Sequence, residues 1–101
     1  HDQTFLDFLA TRDPLQSRRL SVAWVTAWKR WLPTFLGTNT CTHPLLVIQG
    51  DADTTVDWRK NLPVIRAKFP HATLHLLSGG YHQLVNESDP LRESAFALLD
   101  A

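Results

Sequence analysis

Hydrophobic positions along this chain change their spacing several times, and the changes predict the order helix, helix, strand, helix, strand, helix. Phe5, Leu6, Phe8 and Leu9, between Thr4 and Ala10, read as the end of a helix that begins before the first residue. Arg12-Asp13-Pro14-Leu15 breaks it, because the residue before a proline is pushed out of the helical region. Ser17 stands where an N-cap is wanted for a long helix over roughly residues 18–32. On a helical wheel Leu20, Trp24, Ala27, Trp28, Trp31 and Phe35 share one broad face, with Arg18, Arg19, Thr26, Lys29 and Arg30 mainly on the other. Pro33 either ends this helix or starts a following turn, and Gly37 closes the segment.

After a connector from Thr38 to His43, Pro44 opens Leu45-Leu46-Val47-Ile48, an apolar run with no polar alternation. That pattern belongs to a strand inside a parallel sheet with helices on both faces. Asp57-Trp58-Arg59-Lys60 reads as a first turn, and Asn61 is placed to cap a helix from about Leu62 that tolerates Pro63 in its first turn. Val64, Ile65 and Phe69 then face the sheet, Arg66 and Lys68 face water, and Pro70 ends the helix. Thr73 to Leu77 is a second strand, with Leu74 and Leu76 on one side and Thr73, His75 and Leu77 on the other. Asp89-Pro90 opens a final helix through Leu99. Strand, helix and strand in one sheet imply a right-handed crossover. Two parallel strands alone bury neither both faces nor their outer edges. The pattern therefore asks for further neighbours, and an opening His1 with no methionine anywhere fits the expectation of a fragment or processed product.

Composition narrows the function classes. A length of 101 residues suits one small domain with a modest core, and 44% hydrophobic residues is ordinary for a globular chain. Ten basic and ten acidic side chains cancel, so the basic excess of a nucleic-acid-binding protein is missing. No signal-peptide pattern stands near the start, and no apolar run approaches the roughly 20 residues of a membrane span. The single Cys41 cannot form an internal disulfide, which is compatible with a cytoplasmic location.

Candidate chemistry lies at the ends of the two strands. The first runs into Gln49-Gly50-Asp51-Ala52-Asp53 and the second into Gly79-Gly80-Tyr81-His82, so a carboxylate loop and a histidine loop follow neighbouring strands. Histidine near neutral pH can take a proton from a hydroxyl and return it to a leaving group. A buried carboxylate fixes its tautomer and stabilises the imidazolium. Gly79 and Gly80 allow a sharp turn before the histidine. Residues from about Pro44 to Ala101 resemble the C-terminal part of α/β-hydrolases of the lysophospholipase, monoacylglycerol-lipase and serine-aminopeptidase-like group. Pro44 to Val56 is similar to the acid strand and loop of that group, and Gly79-Gly80-Tyr81-His82 with Leu84-Val85-Asn86-Glu87 to its histidine loop. The resemblance implies Asp53, three residues after Gly50, as the catalytic acid rather than Asp51, and His82 as the base. It also implies an α/β fold in which residues 1–40 are the end of a helical cap region. Residues 41–101 are then the C-terminal part of the core, the last two parallel strands with flanking helices. Ser17, Ser21, Ser78, Ser88 and Ser94 all lie outside a Gly-x-Ser-x-Gly elbow, so the nucleophile is expected in a missing N-terminal part of the same protein.

The other candidates have plainer readings. Asp51, Asp53 and Asp57 suggest a calcium loop, but Val56 and Leu62 occupy the positions that need glycine and glutamate. Cys41 and His43 lack a second ligand pair for zinc. His71 and His75 are a loop and a strand residue, and Glu87 is placed to contact the histidine loop. The Trp24, Trp28 and Trp31 stripe reads either as packing of a cap helix, buried in a longer protein, or as an acyl-chain or membrane-facing wall. The expectation is a serine hydrolase of carboxylic esters such as a lysophospholipid or monoacylglycerol, needing no cofactor or metal, with peripheral membrane contact as an option. The alternatives are a peptidase, an aspartate-nucleophile hydrolase of the same fold, or a non-catalytic α/β module that binds a ligand or partner.

Overall fold

Six of the elements are those the pattern predicts, although their ends move where caps compete. The structure, a computed structural model, describes residues 2–15, 17 and 19–101. Helix α1 is Gln3–Thr11, and it carries its own N-cap: Asp2 accepts from the Phe5 N–H at 3.2 Å. The expectation that this helix starts before the first residue is therefore corrected. Helix α2 is Val22–Gly37, capped by Ser21 rather than Ser17, with Trp24 N–H donating to Ser21 Oγ at 3.0 Å. Ser17 instead closes a local turn with Arg19. Pro33 lies inside α2 without ending it. Arg18, expected on its polar face, lies outside the described residues.

Strand β1 is Leu45–Gly50 and strand β2 is Ala72–Leu77, paired in parallel with Leu45 opposite Ala72 and Gly50 opposite Leu77. Between them helix α3, Trp58–Lys68, begins a turn earlier than expected. Asp57 is its N-cap, accepting from Lys60 N–H at 3.4 Å, so Asn61 and Pro63 are interior positions. A single 3-10 turn, Leu84–Asn86, precedes helix α4, Asp89–Asp100, for which Ser88 rather than Asp89 takes the N-cap position. Lys68, expected in water, is half-buried: its ammonium donates to Leu36 O at 2.5 Å and to Thr38 O, and lies 5.9 Å from the Phe35 ring centroid. One cation thereby ties the C-terminal end of α2 to that of α3.

Burial is sparse. Among the described residues Ala95 alone is a buried apolar side chain, whereas the carboxylates of Asp53 and Glu87 are both buried. The tryptophan face of α2 points to solvent, with Trp24 59% and Trp31 54% exposed, while Val25, Thr26 and Leu32 on its other side are half-buried. The wheel predicts the opposite for Thr26. Leu46 and Leu76 stay exposed on the sheet. The radius of gyration is 16.0 Å, against about 13 Å for a compact domain of this length. The loops that follow β1 and β2 meet at one end of the sheet.

Candidate active site

The two loops after β1 and β2 are bolted together by backbone. Asp51 N–H donates to Leu77 O at 3.2 Å, and Ala52 N–H donates to Gly80 O at 3.0 Å. A Cβ on Gly50 would fall 2.1 Å from Gly80 O and 2.6 Å from Tyr81 O, so glycine is required for the loops to approach this closely. Gly79 has φ +77°, a conformation that other residues rarely adopt. Its N–H is held by Asp51 Oδ1 at 2.8 Å, which gives Asp51 a place in the joint between loops.

Asp53 faces the other way. Its Oδ2 lies 2.9 Å from His82 Nδ1, within the hydrogen-bonding range expected from the loop topology. The same oxygen accepts from Gln49 Nε2 at 3.0 Å, and Oδ1 accepts from Thr55 N–H at 2.8 Å and Val56 N–H at 3.3 Å. Four donors thus surround a carboxylate whose side chain is 1% exposed. Burial alone would raise its pKa, but the bonds from His82, Gln49, Thr55 and Val56 outweigh that and hold it at about 2, below the ordinary 3.8. The acid is therefore charged at neutral pH, and the imidazole nitrogen facing it carries the proton. Nε2 of His82 is left as the nitrogen able to act as a base, on a side chain that is 45% exposed.

Glu87 accepts from Tyr81 N–H at 2.7 Å, so the expected contact with the histidine loop is present, through the residue next to His82. Thr54, Thr55, His82 and Asn86 line a cleft of about 370 Å³, and Phe5, Leu6 and Leu9 of α1 form its apolar wall. The space suits a small organic molecule with an apolar portion. Gln49 is the contact that sequence reasoning missed. Its one signal is a polar residue ending an otherwise apolar strand, and that says nothing about where its amide points. The described residues contain no cluster of three or more His, Cys, Asp or Glu able to hold a metal ion. None of the described helices is long and apolar enough to cross a membrane.

Comparison with known proteins adds one match. The family described as serine aminopeptidase, S33, matches residues 1–89 of the chain. No curated protein and no solved structure matches it.

Proposed function

This chain belongs to the serine aminopeptidase, S33, family of α/β-hydrolases, and from that premise we propose that Asp53 and His82 are the acid and base of a serine hydrolase acting on carboxylic esters. The observation that carries the reading is the 2.9 Å contact between a buried, ionised carboxylate and His82 Nδ1 beside an open cleft. Membership makes the protein a hydrolase of the α/β type; the ester substrate, with lysophospholipid or monoacylglycerol as the first choice, is our assignment. It is supported by the apolar wall of Phe5, Leu6 and Leu9 facing the histidine loop. Residues 1–40 act as the end of a cap over the core formed by 41–101.

In this mechanism a serine from a segment of the protein outside this chain attacks the ester carbonyl. His82 Nε2 takes the hydroxyl proton as the O–C bond forms, and the carbonyl π electrons move onto oxygen. Collapse of that tetrahedral species expels the alcohol, which receives the proton back from His82. Water then repeats the sequence on the acyl-enzyme and releases the acid. Asp53 keeps its charge throughout and stabilises the imidazolium each time it forms.

The family description equally suits a peptidase, and paired substrates separate the two. In the full-length protein, p-nitrophenyl butyrate and an aminoacyl p-nitroanilide should be compared by kcat/KM, with His82→Ala as the control. Faster cleavage of the ester, abolished by His82→Ala, supports the proposal; preference for the anilide assigns a peptidase.

A further inference from the structure

Resting on that reading of Asp53 and His82, we propose that Gln49 is a positioning residue, whose amide locks the Asp53 carboxylate in the rotation that presents Oδ2 to the imidazole. A carboxylate only accepts, so the Gln49 group facing it is the NH₂. That NH₂ donates to two oxygens: the Gly50 carbonyl at 2.9 Å and Asp53 Oδ2 at 3.0 Å. The Gly50 bond aims the amide, and the second hydrogen is then fixed on the oxygen that His82 Nδ1 reaches at 2.9 Å. The backbone N–H groups of Thr55 and Val56 hold only Oδ1. Without Gln49, the imidazole alone among the described residues holds Oδ2, and the carboxylate is free to pivot about its backbone-held oxygen.

Gln49 sits on β1 itself rather than on a loop, one residue before the glycine that touches Gly80. A strand is the stiffest element available at this end of the sheet, so the restraint passes from the sheet to the carboxylate and from there to the base. This is how a group that touches neither substrate nor reacting atoms can act on the reaction: it keeps the acid aligned through every proton transfer.

The test uses the full-length protein with Gln49→Leu, which removes both donors at similar volume, and Gln49→Glu, which keeps the shape but places an acceptor where a donor stood. Two quantities are read: the low-field proton NMR signal of His82 Nδ1–H, assigned by its loss in His82→Ala, and kcat with KM on p-nitrophenyl butyrate. We expect Gln49→Leu to broaden the signal and to lower kcat by about tenfold with KM little changed, with a larger loss in Gln49→Glu. A purely structural role would move KM and the whole backbone spectrum together. Wild-type signal and kcat in Gln49→Leu overturn the proposal, as do equal losses in the two variants, which would point to packing. If Gln49→Leu does not fold, Gln49→Glu decides alone, and wild-type kcat there overturns the proposal. Unchanged kcat in both Asp53→Asn and His82→Ala would instead sink the acid–base reading, while the NMR signal still reports whether Gln49 governs the imidazole.

Discussion

Asp51 and Asp53 stand two positions apart in one loop and do different work. Asp51 holds the N–H of Gly79, and Asp53 holds the imidazole of His82. Replacing Asp53 with Asn preserves size but offers the imidazole the wrong partner, so kcat of the full-length enzyme should fall by ~10⁴, by analogy with triad acids elsewhere. Asp51→Asn should cost far less, since an amide oxygen can still accept from Gly79. Side-by-side kinetics settle the assignment, and a crippled Asp51→Asn would move the acid to that position. The same carboxylate should also appear in the pH dependence of stability. It titrates near 3.8 when unfolded and at about 2 in the fold. A depressed value means that the charged form favours the folded state above pH 3.8, and that this contribution fades as pH falls toward 2. Urea midpoints of the full-length protein measured from pH 5 to 2 should therefore converge between wild type and Asp53→Asn as acid is added; parallel curves would contradict the depressed value. Of these residues, the pairing of Asp53 with His82 was legible, because two loops that follow neighbouring parallel strands meet at one end of the sheet and the family resemblance singles out Asp53 over Asp51. Gln49 was not, because an amide hydrogen bond to a residue four positions on depends on the turn that brings the carboxylate back.

At the level of elements, the two strands could be read from the short apolar run Leu45-Leu46-Val47-Ile48 between Pro44 and Gly50 and from the Leu74 and Leu76 alternation between Pro70 and Gly79, since both are too short for helices and are bounded by breakers. Helix starts were harder. Ser17 and Ser21 are both good caps, and Asp57 and Asn61 compete in the same way, so the choice depends on which side chain the folded backbone lets reach an N–H. The Trp face of α2 is exposed in this chain, and a wheel shows only that a face is apolar, not what stands opposite it. The meeting of β1 and β2 through Gly50 and Gly80 is invisible to both kinds of pattern, and it carries a sharp consequence. Gly50→Ala puts a methyl into a backbone carbonyl at 2.1 Å and should cost about 3 kcal/mol or more. Gly79→Ala meets nothing within 4 Å and pays only for its φ of +77°, about 1–2 kcal/mol. Urea denaturation of the two variants in the full-length protein should rank them in that order; equal costs would mean that the loops are not in contact.

Over the whole molecule the balance of surface is unusual. The chain exposes 7850 Å², while a compact monomer of its 11.5 kDa exposes about 5,800 Å². The excess of roughly 2,000 Å² is of the size that obligate interfaces bury, and it includes Trp24, Trp28 and Trp31 on α2 together with Leu46 and Leu76 on the sheet. With Ala95 as the one fully buried apolar side chain among the described residues, the fold gains little hydrophobic stabilisation. The 101-residue chain on its own should therefore bind a hydrophobic dye, associate as its concentration rises and melt without a sharp transition. It should also leave p-nitrophenyl esters intact, because His82 has no serine of an elbow to deprotonate. In the full-length protein the same tryptophans should be shielded from acrylamide in the absence of lipid, if α2 packs as a cap helix; quenching that is relieved only by added vesicles would assign that face to a membrane. A cooperative, monomeric melt of the isolated chain, or ester turnover by it that His82→Ala abolishes, would show that this acid and base need nothing further to fold around them.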